Sequence, residues 1–351
     1  MKAALVIYGD LTSRSGGYLY DRMLVEHLER CGDSVEAVSV PGGPGARGVM
    51  SNADPRLLRR LGTLDADVLI EDELCHGSLF LLNRRLKETA SFPLVGLVHH
   101  LSCHADPRPA AARRHWIAEK RFLSSLDGFL ANSEATCEAV RSLAPLARGA
   151  VARPGRDHVQ ARKVDRDMSG PLALLYVGNV LPHKGLEMLV RAMASLPRGQ
   201  ARLEVVGPFP DPPFLHRVLG LVDRCGLSGE VRFRGWVSDE ERDRSMDQAQ
   251  VLVVPSRHEG YGLVFVEAMA CGLPVIAPSS GGAGEIVTHG SEGFLVGPGD
   301  EGALASCLLK LEEDRDLLRI MSERARHRYD TLPTWEEQMT KAREHLLSFV
   351  G

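Results

Sequence analysis

The stretch Val251–Ser280, VLVVPSRHEGYGLVFVEAMACGLPVIAPSS, leaves this chain few folds to adopt. Val251 to Val254 is a short, uniformly apolar run stopped by Pro255 and Ser256, the pattern of a strand buried on both faces in a parallel sheet. A polar loop with Arg257, His258 and Glu259 follows, and Gly260-Tyr261-Gly262 leads into a helical run from Leu263 to Cys271. Gly272 and Pro274 close that helix, and Pro274 to Ala277 reads as a second buried strand. Parallel neighbours need a crossover helix of this kind, so the unit commits its surroundings to an α/β sheet.

The same alternation runs through the rest of the chain. Ala3–Tyr8 is a buried strand, followed by a loop from Gly9 to Gly17, a helix from Tyr18 to Arg30 and a strand from Val35 to Val40. Pro41 to Gly48, rich in glycine and proline, is expected to be loop. Asp67–Ile70, Pro93–Val98 and Gly128–Ala131 are further strands, and Asn132-Ser133 caps a helix from Glu134 to Leu143. The charged run from Gln160 to Pro171 reads as a linker, after which a new series begins at Leu172–Val177. Its later elements include a helix Leu186–Leu196, a strand Ala201–Val206, a helix Phe214–Cys225 and a strand Val231–Phe233. Ser238 with Glu241 starts a capped helix. Gly293–Val296 is the last strand, ahead of one amphipathic helix over Leu304–Tyr329 and a final helix over Trp335–Val350. At 351 residues the chain has room for two domains, expected at 1–160 and 161–333, with the terminal helix at about 334–351.

Composition removes several function classes. A formal net charge of -4 disfavours a general nucleic-acid binder. No apolar segment reaches the length of a membrane span, and MKAALVIYGD reads as a first strand and not as a signal peptide. Seven scattered cysteines without a CxxC pair suit reduced thiols in a cytoplasmic protein and make zinc an improbable ligand. The absence of G-x-G-x-x-G weighs against a nicotinamide or flavin enzyme.

The candidate chemistry lies in the loops. Gly260-Tyr261-Gly262 before a helix offers backbone N–H groups where the helix dipole favours an anion such as a diphosphate. Glu267 sits among apolar neighbours, where a carboxylate needs a partner; a surface-facing Glu in the first helical turns is the plainer account. Gly178-Asn179 after a strand and Lys184-Gly185 before a helix also suit an anion, although the Walker ending is missing. Gly281-Gly282 forms another glycine loop, with Glu285 close behind. His99 and His100 end a strand, at the side where open α/β sheets bind ligands; pairing with loop backbone accounts for them equally well. The segment Glu71–Gly77, with Glu73 and His76, leaves its strand at that same side. Asp65-Ala66-Asp67 spells D-x-D but precedes its strand, and we read it as chance. The stretch 108–121, with Arg113, Arg114, Trp116, Lys120 and Arg121, suits an anionic membrane surface or acceptor as well as an ordinary solvated helix.

Glu259 and Glu267, with seven residues between them, resemble the EX7E motif of retaining GT-B glycosyltransferases, and EAMACGLPVIA resembles the family-4 members. VGNVLPHKGLEMLVRAM is similar to that family's donor-phosphate loop, with Asn179 where many members carry Arg; Arg257 or His183 could supply the missing cation. LVHHL resembles the segment whose histidine faces the donor sugar, and His99 fits that position better than His100. The resemblance implies two Rossmann-like doubly wound parallel-sheet domains facing a central cleft, with the terminal helix crossing back to the first.

It also implies transfer of a sugar, with retention, from a UDP- or GDP-type sugar nucleotide to an unidentified acceptor. By the same resemblance, Glu259, His99 and Lys184 act in catalysis. Gly16, Gly17, Gly178, Asn179, Lys184, Gly260, Tyr261, Gly262, Leu263, Glu267 and Glu285 then hold the donor, Glu267 at the ribose. Trp236 or Val237 lies near the base. Glu73, His76 and His100 are acceptor-side candidates. Neither metal nor cofactor is expected, and the location expected is cytoplasmic, with contact to the inner face of the membrane through 108–121 as one option. A GT-B phosphorylase, a sugar-nucleotide hydrolase and a non-catalytic nucleotide-sugar-binding subunit would use the same loops.

Overall fold

The computed structural model describes residues 1–13, 15–41, 43 and 46–350. The chain divides into two compact units, Met1–Gly155 with Pro333–Gly351, and Arg156–Leu332. The sequence put this division five residues later, at 160/161.

In the first unit, six parallel strands lie in the order β2-β1-β3-β4-β5-β6: β1 Lys2–Tyr8, β2 Ser34–Val40, β3 Val68–Asp72, β4 Leu94–Val98, β5 Gly128–Ala131 and β6 Arg148–Val151. β3, β4 and β5 are buried along their whole length, as strands covered by helices on both faces must be. In the second unit the order is β12-β11-β10-β7-β8-β9: β7 Leu172–Val177, β8 Ala201–Val206, β9 Val231–Gly235, β10 Val251–Val253, β11 Val275–Pro278 and β12 Gly293–Val296. This is the Rossmann order, and its connections reverse direction between β7 and β10. The corresponding reversal in the first unit falls between β1 and β3.

Several expectations need correction. The first helix begins at Gly16, with the Ser15 hydroxyl accepting from the Tyr18 N–H, so Gly16 and Gly17 form its first turn and not a loop. A helix over Ala46–Ser51 replaces the end of the expected Pro41–Gly48 loop, while residues 42, 44 and 45, like Arg14 of the first loop, lie outside the described residues. The long helix over Leu304–Tyr329 is two helices, Glu301–Glu313 and Arg315–Thr331. Asp314 breaks it: with φ -115° and ψ 87° its carboxylate accepts from the Leu317 N–H and caps the second helix.

The run Gln160–Pro171 is not a free linker. Arg166 is buried, and its guanidinium donates to the carbonyls of Met246, Ala249, Cys271 and Gly272. Those of Met246, Ala249 and Cys271, at the ends of the helices Asp239–Gln248 and Leu263–Ala270, have no other partner among the described residues, while Gly272 O also accepts from Ser322 Oγ at 2.6 Å. One cation thus closes two helix ends and ties the segment to the second unit.

The terminal helix Trp335–Leu347 belongs to the first unit. Trp335 is buried edge-on against Tyr20, with ring centroids 5.7 Å apart, and Arg343 reaches Asp33 at 2.6 Å. Among the described residues no helix is long and apolar enough to cross a membrane.

Candidate functional site

In the second unit the loops after β7 and β10 meet at the reversal point, where open α/β sheets leave a crevice. There Lys184 Nζ lies 2.8 Å from Glu259 Oε2, joining residues 75 positions apart. The buried Ser256 hydroxyl donates to the same oxygen at 3.2 Å. The Lys184 side chain is 25% exposed and that of Glu259 15%, so the pair is formed but open to solvent.

Two glycines hold this geometry. Gly185, at φ +78°, ends the lysine turn and starts the helix Leu186–Ala194; a Cβ there would stand 2.0 Å from the Pro255 carbonyl oxygen. Gly281, at φ +87°, lies so close to Glu259 that a Cβ would be 1.9 Å from the Glu259 carbonyl oxygen. That oxygen accepts from the Gly282 N–H at 2.8 Å, and the Glu259 N–H reaches Ser280 O at 3.3 Å. Backbone from the loop after β11 therefore fixes Glu259 on both sides.

The helix Leu263–Ala270 begins at Gly262, and among the described residues the N–H groups of Leu263 and Val264 have no acceptor. These are the donors expected to face an anion. Two others are already committed: the Gly178 N–H to Val206 O at 2.9 Å, and the Gly282 N–H to Glu259. Gly282–Glu285 is a single 3₁₀ turn, so the second glycine loop frames Glu259 and brings no helix dipole of its own. Gly260 and Tyr261 are buried beneath the loop, Asn179 is exposed, and Glu285 is half-buried, its carbonyl accepting from Arg328.

The Glu267 carboxylate is 14% exposed and lies 3.5 Å from His158 Nε2 and 3.8 Å from Arg242 Nε. Its apolar sequence neighbours gave no hint of either partner. Arg257 is exposed, with its N–H on His183 O at 2.7 Å. Trp236 is 62% exposed.

In the first unit the reversal point collects buried charge. His99, following β4, places Nε2 3.1 Å from Asp21 Oδ1, its ring edge-on to Tyr20 at 5.2 Å. Gly17 makes room for it, since a Cβ there would be 3.2 Å from the ring. Burial alone would lower the His99 pKa, but the Asp21 hydrogen bond and the charges of Asp21, Asp72 and Glu73 raise it to about 9. Burial, with the Asp21 charge beside it, pushes Asp72 up to about 7. Sequence reasoning missed Asp21, which helical periodicity hides; Asp72 fell within the Glu71–Gly77 segment without being singled out, since it ends a strand.

Glu73 and His76 do not face outward as acceptor-side residues would. Both are buried, and Glu73 Oε2 accepts from the His99 and His100 N–H groups at 3.3 and 3.4 Å, while His76 Nδ1 sits 2.9 Å from Glu73 O. They brace the histidine loop instead. Two sets of donor atoms in this unit, Asp21–Asp72–His99 and Glu73–His76–Glu119, lie within 4.8 Å of one another. We assign neither as a metal centre: His99 spends Nε2 on Asp21, and Glu73 and Glu119 hold loop N–H groups, Glu119 those of Ser102 and Cys103. Asp65 of the D-x-D string pairs with Lys2 at 2.6 Å, away from the binding side.

Two six-stranded parallel sheets with alternating helices, the second in Rossmann order, match the GT-B class of fold seen in solved glycosyltransferases. The profile described as "Glycosyl transferases group 1" matches residues 159–328 and that of "Glycosyltransferase Family 4" residues 11–158, so the chain belongs to the family-4, group 1 glycosyltransferases. Its curated relatives include a D-inositol 3-phosphate glycosyltransferase of Streptomyces avermitilis, 34% identical over 63% of this chain and 51% of the relative. The chain thus spans about half of that relative's length. One from Rhodococcus erythropolis is 29% identical over 78% of this chain and 70% of its own. Among solved structures, sucrose-phosphate synthase from Thermosynechococcus elongatus superposes with a TM-score of 0.83 at 24% identity, covering 99% of this chain and 98% of the other, a likeness of fold.

Proposed function

We propose that the chain is a retaining glycosyltransferase that moves a sugar from a nucleoside-diphosphate sugar, of UDP or GDP type, to a hydroxyl acceptor in glycan, glycolipid or glycosylated-metabolite synthesis. The observation that carries this reading is the partly exposed Lys184–Glu259 pair at the β7/β10 reversal point, beside the orphan N–H groups of Leu263 and Val264. A diphosphate arriving there takes over Lys184, and the released Glu259 faces the sugar, where its charge stabilises the cation growing at the anomeric carbon. Glu267 holds the ribose hydroxyls, and His99 contacts the donor sugar. The anomeric C–O bond to phosphate breaks, the acceptor oxygen bonds the same face, and the departing phosphate oxygen takes the acceptor proton. Lysine and backbone donors meet the diphosphate charge, so no metal is required.

The names of the relatives make a phosphorylated cyclitol the first acceptor to try. The test is a thermal-shift screen of nucleoside diphosphates and their sugars, since a true donor stabilises by mass action. With the donor found, Lys184→Ala and Glu259→Gln should each lower turnover by about a hundredfold or more. Near-normal turnover in both would sink the assignment.

We infer that the reaction takes place on the cytoplasmic side of the membrane. Exposed Trp116 and Ile117, among Arg113, Arg114, Lys120 and Arg121, suit contact with anionic lipid. Equal sedimentation with anionic and zwitterionic vesicles would refute that contact.

A further inference from the structure

We propose that Asp21 is a positioning residue for His99: it takes the Nε2–H, fixes the ring, and keeps the imidazole cationic, so that Nδ1–H serves as a hydrogen-bond donor and His99 cannot act as a base. This rests on the reading of His99 as a donor-sugar contact and states in what form the ring makes that contact.

The geometry is specific. Asp21 projects from the helix Gly16–Arg30 and is fully buried, and its Oδ1 lies 3.1 Å from His99 Nε2. An ionised carboxylate in such a place needs a cation, and no other ion pair of Asp21 exists among the described residues. Its second oxygen, Oδ2, is buried without an N–H or O–H partner. Asp72 stands within 4.8 Å of both Asp21 and His99, at the end of β3. Burial and the Asp21 charge push the Asp72 carboxyl up to about 7, so below that pH it carries a proton that can give Oδ2 its missing donor. The titratable groups facing the ring are thus Asp21 and Tyr20 from the first helix, and Asp72 and Glu73 from the exit of β3. Asp21 favours the imidazolium most, by hydrogen bond and charge, and Asp72 and Glu73 add to it in their ionised forms. Gly17 closes over the ring, leaving it little freedom to turn and exchange its nitrogens.

The ring is also placed to donate. Nε2 is spent on Asp21, and among the described residues Nδ1 has no hydrogen-bond partner. With both nitrogens protonated, His99 offers a donor to a sugar hydroxyl or phosphate oxygen and has no lone pair with which to accept a proton. This agrees with a same-face reaction in which the leaving phosphate is the base.

The test uses the full chain and two readouts. Imidazole correlation spectra, with the His99 signal assigned by its loss in His99→Gln, should show His99 titrating near pH 9. Asp21→Asn should lower that midpoint by about two units, and Asp72→Asn by less. Turnover should fall on an alkaline limb that follows the same midpoints, with affinity for the nucleoside diphosphate unchanged in Asp21→Asn. Unchanged signals of the buried His27 and His76, both in the first unit, show that the variant is folded there. A wild-type midpoint at or below about 6.5, the ordinary histidine value, would overturn the proposal; so would a midpoint that Asp21→Asn leaves in place, or an alkaline limb that does not move with it. If His99→Gln turns over normally while the Asp21→Asn titration shifts as expected, the donor-contact reading of His99 is what has failed, and its coupling to Asp21 stands.

Discussion

Replacing Gly281 with alanine tests whether the Glu259 loop must be rigid to work. The residue stands at φ +87° and ψ -155°, a region that glycine alone takes readily and where an L side chain costs about 1–2 kcal/mol. Its Cβ would lie 1.9 Å from the Glu259 carbonyl oxygen, whereas such contacts keep about 3.3 Å, so the loops after β10 and β11 must part by about 1.4 Å. That movement breaks the bond from the Gly282 N–H to Glu259 O, a net loss of about 1 kcal/mol. The sum is about 2–3 kcal/mol, which in a unit of this size lowers its melting temperature by roughly 5–10 °C. Glu259 shifts by the same ångström, a displacement that costs about a hundredfold in turnover. Gly284→Ala, in the same glycine loop, is the control: its Cβ would meet only Leu295 Cδ1, at 3.8 Å, and both readouts should stay at wild type. Melting curves and donor turnover of the two variants decide the matter. A Gly281→Ala protein that melts and turns over like wild type refutes the close approach. Equal damage in both variants refutes the argument that Gly281 is the special position.

Arg166→Met should lower stability by about 3 kcal/mol or more, because the carbonyls of Met246, Ala249 and Cys271 lose their donor together; a urea midpoint shift worth less than about 1 kcal/mol would show that water replaces the guanidinium. The first unit should lose stability as pH rises from about 4.5 to about 9. Burial lifts Glu71 to about 8 and Asp72 to about 7, from 4.5 and 3.8, so in that window the folded chain holds protons that the unfolded chain has released. His99, raised from 6.5 to about 9, acts in the same direction, its stabilisation complete below 6.5 and lost through 9, while the lowered His76 opposes it weakly. Glu71→Gln should flatten the slope and keep the bond from Asn83, at 2.7 Å; urea midpoints that are level or rising between pH 5 and 8.5 would contradict the sign.

Legibility in the sequence followed the range of the interactions. Leu172–Val177, Ala201–Val206, Gly293–Val296 and Glu134–Leu143 have the bounds their apolar runs and caps implied, because those signals are local. The break at Asp314 was missed because a capping Asp inside a continuous amphipathic pattern looks like one more polar-face residue. Lys184 and Glu259 were legible through their motifs, but their contact joins loops 75 residues apart and follows only from the strand order. Arg166 read as a linker charge because its acceptors are backbone carbonyls, which leave no mark in sequence. Asp21 was hidden for a related reason. An acidic residue in the first turns of a helix is ordinarily a solvated one, and only the chain's return after β4 brings His99 above it.

The two reversal points place opposite charges in similar surroundings and differ in one quantity, exposure. The Lys184 and Glu259 side chains are 25% and 15% exposed, whereas those of His99 and Asp21 are 13% and 0%. A pair open to water can exchange one partner for another anion at modest cost, because the released carboxylate is solvated at once. A pair whose carboxylate is sealed cannot, since removing the cation strands a buried charge at several kcal/mol. The first arrangement suits an ion that must be given up to a diphosphate and recovered; the second suits a charge that must stay in place through every turnover. On the proposed reading, exposure, more than residue type, divides the work: Lys184 changes partners and His99 keeps its own.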